Sequence, residues 1–234
     1  MLSNLINSES KILFNRNPRE RVAKVAPWLT LDADPYPAII DGKILWIIDG
    51  FTTSAGYPNS RKVNLANTGD ALTARSNAVS SLGDKNVNYI RNSIKATVDA
   101  YDGTVVLYQW DEKDPVLKTW MKAFPNSVTP KSEMSKELLE HIRYPEDMFR
   151  VQREILSSYH VTTAAAFYGG QDFWRVPRDP STFGANAGAQ PPYYMTLEMP
   201  GSDKPTFTLT TPFVPRGGRE NLSAFAVVDS NNGP

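Results

Sequence analysis

The chain has 234 residues, of which 41% are hydrophobic and 21% are charged, a composition typical of globular proteins. Lys and Arg together number 25, as do Asp and Glu, so the net charge is zero. This balance argues against nucleic acid as a partner, because phosphate binding requires a basic surface. There is no cysteine, which excludes disulfides, thiol catalysis and cysteine metal sites.

The first predicted element is a helix over residues 18–26. Asn17 is suited to cap it, and Pro18 is placed at its first position, where a missing N–H costs nothing. Before it, residues 1–17 are poorly patterned. We expect residues 18–234 to form a single soluble α+β domain, with a possible subdivision at a helical part near 112–160.

Two Asp-Gly pairs predict β-hairpins. Asp41-Gly42 and Asp102-Gly103 each lie between extended apolar runs, and Asp-Gly favours the type I′ turn, in which both central residues have positive φ. The predicted strands lie near 37–41 and 43–49 for the first hairpin, and near 88–101 and 104–110 for the second. The apolar run 44–48 is far shorter than the roughly 20 residues of a membrane-spanning helix.

Two long segments, 52–87 and 161–191, have no clear periodicity, apart from a short helix that is predicted over 70–79. Polar segments of this length are typical of functional loops. If they flank a common cleft, we expect a ligand to contact side chains that could donate, accept or stack: Tyr57, Arg61, Arg75, Asp172, Trp174 and Arg175.

Three helices are predicted between these segments, near 115–124, 133–143 and from 145 onward. Asp114 and Pro115 form a helix-start signal for the first of them. We expect the three to pack as one layer. Their apolar stripes predict that four side chains are mostly buried: Trp120, Phe124, Leu138 and Ile155.

A β-meander is predicted at the C-terminal end, with a last strand near 222–228. Its residues alternate between apolar and polar, as in antiparallel strands with one solvent-facing side. The ladder of Thr206, Thr208 and Thr210 is predicted to be that exposed side. The order of helix, hairpins, helices and meander predicts the α+β class.

Motifs for established chemistry are missing. The sequence has no G-x-S-x-G elbow, no phosphate-binding loop and no dinucleotide fingerprint, so we predict no cofactor and assign no catalytic residue. His141 and His160 are both placed near predicted helix ends, where structural roles are favoured, and no metal site is predicted. Two well-placed carboxylates would suffice for a glycosidase, so that class stays open.

The chain resembles a bacterial family of large, uncharacterised multi-pass membrane proteins, one of the numbered uncharacterised protein families. The resemblance covers residues 12–229 and is carried by long strings: RERVAKVAPWL, DPYPAIIDG, YIRNSIKATVDAYDG, DPVLKTWMKAFP, RYPEDMFRVQR, QPPYYM and RGGRENL.

That resemblance implies a full-length protein in the cell membrane whose large soluble region, of which this chain is a part, lies outside the cytoplasm. The full-length protein would contact the membrane through transmembrane helices that lie outside this chain. The family has no established activity, so we expect a binding or assembly role at the cell envelope, with an unidentified protein or envelope component as partner. The alternative is an envelope enzyme that acts on glycan or lipid-linked substrates through paired carboxylates.

Overall fold

The structure is a computed structural model that describes residues 14–65, 86–181, 188–199, 201 and 203–231. Most of the unpatterned N-terminal segment and the helix predicted over 70–79 lie outside the described residues.

The chain is α+β, as the sequence predicts, with antiparallel hairpins, helices grouped after them and a C-terminal meander. The helices of the described residues are α1 (Pro18–Val25), α2 (Pro115–Ala123), α3 (Lys136–His141), α4 (Glu146–Tyr159) and α5 (Ala164–Gly169). The strands are β1 (Thr30–Leu31), β2 (Tyr36–Ile40), β3 (Lys43–Ser54), β4 (Val63–Asn64), β5 (Asn86–Val87), β6 (Tyr89–Asp99), β7 (Val105–Gln109), β8 (Trp174–Arg175), β9 (Tyr193–Glu198), β10 (Pro205–Pro215) and β11 (Ala224–Asp229).

Strands β3 and β6 form the centre of the first sheet, in the order β1-β3-β6-β7. β2 shares one edge of β3 with β1 and pairs with the half of β3 that begins at Lys43. The second sheet has the order β11-β10-β8, with β9 also paired to β10. β4 and β5 form a two-stranded ribbon, and every pairing between these strands is antiparallel.

Both predicted Asp-Gly turns are confirmed, but they differ in form. Asp41 and Gly42 have φ angles of 50° and 75° between the paired residues Ile40 and Lys43, as a type I′ turn requires. The second turn is longer: Gly103 has a φ of 76° whereas Asp102 does not have a positive φ. There the backbone N–H of Asp99 donates to the carbonyl of Thr104 at 2.9 Å.

Strand β6 contains one extra residue, Ser93, opposite the junction of Gly50 and Phe51 in β3. Gly50 pairs with Ile94 and Phe51 with Asn92, so Ser93 has no partner across the pair. A side chain at position 50 would be tightly packed, since a Cβ there would lie 3.0 Å from a Leu29 methyl group and 3.1 Å from Ile94 Cβ, and both neighbours would have to shift. The result is a β-bulge, a feature that bends a strand and re-aims its side chains.

The bulge changes which side chains share a face of the first sheet. Directly opposed residues point to the same face and successive residues alternate. Asn92 therefore shares a face with Asp49 and Lys95, while Arg91 shares the other face with Ile94. In a regular strand in which Ser93 were paired, Asn92 and Ile94 would be two residues apart and would lie on one face together.

The two faces of the first sheet bury different clusters. The face of Ile94 packs against α1 and α2 in a core that includes Val22, Ala26, Ile48, Ala96 and Leu117. On the opposite face, Phe51 packs with α4 and β10 through Met148, Val151 and Leu209. A third cluster joins β2 and β3 to α3 through Ile40, Ile47 and Leu138.

In the meander, the face that was predicted to be exposed is buried. Thr208 and Thr210 are buried, with 0% and 1% of their surface exposed, and Thr206 is half-buried. The Thr208 hydroxyl donates to the carbonyl oxygen of Met195 at 2.8 Å, and the Thr210 hydroxyl donates to that of Tyr193 at 3.1 Å. The predicted exposure is therefore wrong: β10 is paired with β9 and β11 on its two edges, and the bonds to the β9 backbone satisfy the buried hydroxyls.

The three central helices lie against different strands: α2 against β3, α3 against β2, and α4 against β10 and β8. Leu138 is buried, at 2% exposure, as predicted. Trp120 is half-buried, and its ring stacks on Trp28 at 5.3 Å and on Phe124 at 5.9 Å between centroids.

The burial prediction is wrong for Phe124 and Ile155, which are 52% and 41% exposed. Phe124 follows the last residue of α2 and packs on Trp120 at the surface of the fold. Ile155 lies on the same side of α4 as the buried Val151 and Ser158, but it lines a surface cleft with Glu154 and Tyr159 and is open to solvent. An apolar stripe read from sequence does not show which of its residues line a cleft.

Leu117 and Phe124 offer a matched test of the core assignment. Leu117 is fully buried in the cluster under α2, so Leu117→Ala should lower the free energy of unfolding by about 2–5 kcal/mol. Phe124→Ala, at the exposed end of the same helix, should cost about 1 kcal/mol or less. Urea unfolding followed by circular dichroism measures both, and equal losses would contradict the assignment.

Candidate functional site

A cleft of about 540 Å³ opens where β6 extends beyond the end of β7. Gln109, the last residue of β7, pairs with Ile94, so the segment 89–93 has a strand partner only in β3 among the described residues. The volume is within the range of small-molecule sites, roughly 300–1,000 Å³. The cleft is lined by Ile90, Arg91, Asn92, Trp110, Asp111, Glu112, Lys113, Lys131, Met148 and Gln152.

Asn92 is the most unusual side chain of this cleft. It is 5% exposed, and its Nδ2 donates to Asp49 Oδ1 at 2.9 Å. This contact fixes the orientation of the amide, since a carboxylate only accepts. The buried Oδ1 of Asn92 has no hydrogen-bond partner within the described parts of the chain. Because an unsatisfied buried acceptor costs roughly 1–3 kcal/mol, a ligand that donates to it would be stabilised.

Behind Asn92 lies a buried ion pair between Lys95 and Asp49, whose side chains are 0% and 4% exposed. Lys95 Nζ also donates to the carbonyl of Arg143 at 3.0 Å. Breaking such a pair would leave a charge uncompensated in the interior, so the pair holds Asp49 in place to receive the Asn92 amide.

The rim of the cleft carries three cations, Arg91, Lys113 and Lys131, against the two carboxylates of Asp111 and Glu112. Arg91 Nε pairs with Asp111 Oδ2 at 2.9 Å, so these two charges offset each other. The rim therefore has a net charge of +1, and the lysine side chains contribute it.

Trp110 forms the inner wall rather than a stacking platform. Only 7% of it is exposed, and the Lys131 ammonium lies 3.5 Å from the centroid of its ring. Its backbone N–H donates to the carbonyl of Ser93 at 2.8 Å, which ties the loop after β7 to the bulge. This arrangement holds Lys131 at the cleft by a cation–π contact.

Asp114 also holds the loop that follows β7. It caps α2 by accepting two backbone N–H groups, and it also accepts the hydroxyls of Ser93 at 2.5 Å, Thr52 at 2.6 Å and Tyr89 at 2.5 Å. Burial by itself raises the pKa of Asp114, but the hydrogen bonds from Ser93, Thr52 and Tyr89 outweigh it and hold that pKa below its usual value.

A second group of buried charges joins the first sheet to α4. Asp32 accepts the backbone N–H of Asp147 at 3.2 Å, and Asp147 pairs with Arg150 at 3.3 Å. Burial, and then the nearby Asp147 and Asp49 carboxylates, raise the pKa of Asp32 well above its usual value. None of Asp32, Asp147 and Arg150 lines the cleft, so we assign them to the connection between the sheet and the helix.

The side chains predicted from the first long segment occupy separate places. Tyr57 stacks on Tyr89, with 4.8 Å between ring centroids, and its backbone N–H and carbonyl both bond the Asn88 side chain. Arg61 lines a second cleft of about 360 Å³ beside Tyr159 at the end of α4. Arg75 lies outside the described residues.

The side chains predicted from the second long segment gather at the end of α4. Trp174 stacks on His160 with 3.4 Å between ring centroids, and the carbonyl of Asp172 lies 2.9 Å from His160 Nε2. Arg175 pairs with Glu220 at 2.5 Å. These contacts anchor the segment, and the expectation of one cleft shared by both segments stays a prediction.

Sequence analysis missed the residues of the larger cleft. Trp110 and Lys131 lie in different elements, and no spacing rule relates either of them to Asn92. One local signal was present: Arg91, Asn92 and Ser93 are three consecutive polar residues, and they break the alternation of apolar and polar residues that runs from Ile94 to Asp99. Such an interruption is typical of a bulge beside a functional surface.

Two other kinds of site are absent from the described residues. In the described ranges, no three His, Asp or Glu side chains are grouped so that they could hold a metal ion. Within the same ranges, no helix combines the length and the hydropathy needed to cross a membrane.

Comparison with known proteins gives a consistent match. The sequence model of the "Uncharacterised protein family (UPF0182)" matches residues 1–234. The chain is 58% identical over 232 residues to a UPF0182 protein of Thermobifida fusca, covering 99% of the chain and 23% of that relative. It is 55% identical over 244 residues to a UPF0182 protein of Kineococcus radiotolerans, covering 100% of the chain and 24% of the relative. No solved structure matches.

The low pKa of Asp114 predicts a pH-dependent contribution to stability. Its folded value lies below the unfolded 3.8, so the stabilisation is complete above that value and is lost as pH falls through the folded pKa. Asp114→Asn should therefore lower the free energy of unfolding by about 2–4 kcal/mol near pH 6 and by less near pH 3.

Urea unfolding at both pH values measures this difference. Glu112→Gln is the matched control, because Glu112 is an exposed acid two residues away, and it should change stability little at either pH. A loss for Asp114→Asn that is equal at the two pH values would contradict the role assigned to the carboxylate.

Proposed function

Since the chain belongs to the uncharacterised protein family (UPF0182) and spans only 23–24% of the length of the relatives it matches, we propose that it is a binding module of a larger bacterial membrane protein. The module lies on the extracytoplasmic side of the cell membrane and works without catalysis, by holding a ligand or partner of the cell envelope. The cleft at the open edge of β6 is its binding site.

The observation that carries this proposal is the buried Asn92 acceptor in a cleft of small-molecule size. A rigid sheet supports this side chain through Asp49 and Lys95, so the acceptor is preorganised. The best-defined carboxylates nearby are engaged: Asp111 with Arg91, and Asp114 with three hydroxyls and the start of α2. Groups held in this way suit recognition better than proton transfer.

The second candidate is an envelope enzyme that acts on glycan or lipid-linked substrates. It is favoured by one observation, that Asp111 and Glu112 line the same cleft. Two carboxylates on one cleft are the minimum for glycoside hydrolysis. The burial of Trp110 counts against a sugar-stacking wall there. Loss of hydrolysis of an envelope glycan in both Asp111→Asn and Glu112→Gln would support the enzyme over the binding module.

Cysteine labelling tests the location, because the chain has no cysteine of its own. Tyr101 is 100% exposed and Val22 is 0% exposed. In the full-length protein, Tyr101→Cys should react with a membrane-impermeant maleimide on intact cells, and Val22→Cys should not. The parent protein without either substitution gives the background. Labelling of Tyr101→Cys only after lysis would contradict the extracytoplasmic location.

Blocking the cleft tests the binding role. A low-molecular-weight extract of the bacterial envelope should raise the Tm of the parent chain, as ligands of the folded state do. Gln152→Trp fills the cleft and should abolish that shift, whereas Gln171→Trp, at an exposed position that does not line the cleft, should keep it. An equal shift in both variants would place binding elsewhere.

A further inference from the structure

We propose that the ligand of the β6-edge cleft is a small anion that also carries a hydroxyl group, that is, a hydroxylated phosphate ester or carboxylate. This inference rests on the proposed function in taking the cleft as the binding site, and it adds the chemical class of the ligand.

The hydroxyl follows from Asn92. Its Oδ1 can only accept, and its orientation is fixed by the bond from Nδ2 to Asp49. The side chain is 5% exposed, so bulk water has little access to that oxygen. A ligand satisfies it only by donating from an O–H or N–H group. An anion without a donor of its own would leave this acceptor unpaired.

The negative charge follows from the lysines of the rim. Within the described residues, neither Lys113 nor Lys131 takes part in an ion pair, whereas Arg91 is paired with Asp111. Lys131 is also positioned, because its ammonium lies 3.5 Å from the centroid of the Trp110 ring. A phosphate or carboxylate would give the two ammonium groups the charge-assisted partners that they lack.

The shape of the cleft excludes a stacked aromatic or sugar ring on Trp110, since only 7% of that side chain is exposed. Ile90 and Met148 give the cleft an apolar part, and the polar lining residues determine which chemical groups it selects. On α4 the cleft is lined by one polar residue, Gln152. Its Oε1 accepts the Tyr144 hydroxyl at 2.6 Å, so its NH₂ group points away from that bond. The cleft thus offers several donors and one buried acceptor.

Calorimetric titration of the chain with four probes separates the two requirements. Glycerol 3-phosphate and D-glycerate carry a charge and hydroxyls, glycerol carries hydroxyls alone, and dimethyl phosphate carries a charge without a donor. We expect at least one of the first two to bind, and glycerol and dimethyl phosphate to bind at least about tenfold more weakly. The stronger of the two anions identifies phosphate or carboxylate as the source of the charge.

Variants test the same contacts. Lys131→Gln should weaken the binding anion about tenfold, while Lys122→Gln, an equal charge change on an exposed lysine of α2 that does not line the cleft, should leave it unchanged. Asn92→Ala should reduce the anion to the affinity of dimethyl phosphate. If that variant does not fold, the comparison of probes on the parent chain decides the role of the acceptor.

Each requirement can fail separately. Glycerol that binds as tightly as the anions would overturn the charge requirement, and dimethyl phosphate that binds equally well would overturn the hydroxyl requirement. No binding of either anion at up to about 10 mM would overturn the ligand class. In all three cases the surface-labelling and envelope-extract experiments still decide the proposed function independently.

Discussion

The extra residue at Ser93 is the constraint on which the candidate site depends. It lets one strand serve two environments: beyond the bulge β6 builds the apolar core under α1 and α2, and before it the same strand presents Arg91 and Asn92 to a polar cleft. The Ser93 carbonyl receives the N–H of Trp110, and the Ser93 hydroxyl reaches Asp114. The loop that closes the cleft is therefore attached to the irregularity itself, and Gly50 provides the space that the irregularity needs.

Two buried carboxylates stabilise this arrangement from opposite faces of the sheet. Asp49, paired with Lys95, holds the Asn92 amide, and Asp114 gathers hydroxyls from β3 and β6 at the start of α2. Buried charges add little net stability when they replace apolar groups of equal size. What such groups provide is a fixed geometry, because their alternatives are unpaired charges. A preorganised binding surface requires that property more than it requires additional stability.

The parts of the fold that were predicted correctly depend on neighbours in sequence. The Asp41-Gly42 turn and the helix starts at Asn17-Pro18 and Asp114-Pro115 are each determined within a few residues. The failures depend on distant neighbours: the buried hydroxyl of Thr208 is satisfied by the backbone of β9, and Ile155 is exposed because it lines a surface cleft. The cleft was missed for the same reason, since its lining runs from Ile90 to Gln152 and forms only after β7 ends early.

The bulge also implies how this region can vary among related proteins. Side chains in β6 can change one at a time while their neighbours keep their places. A deletion of Ser93 would leave Gly50 opposite Ile94 and Phe51 opposite Asn92 in a regular ladder, so Asn92 would keep its face. It would remove the carbonyl that accepts the Trp110 N–H and the hydroxyl that bonds Asp114, and the loop after β7 would lose its attachment to the strand. Insertions and deletions of one residue in this strand should accordingly be far rarer than substitutions, and alignments of relatives should show constant length between the positions equivalent to Tyr89 and Asp99.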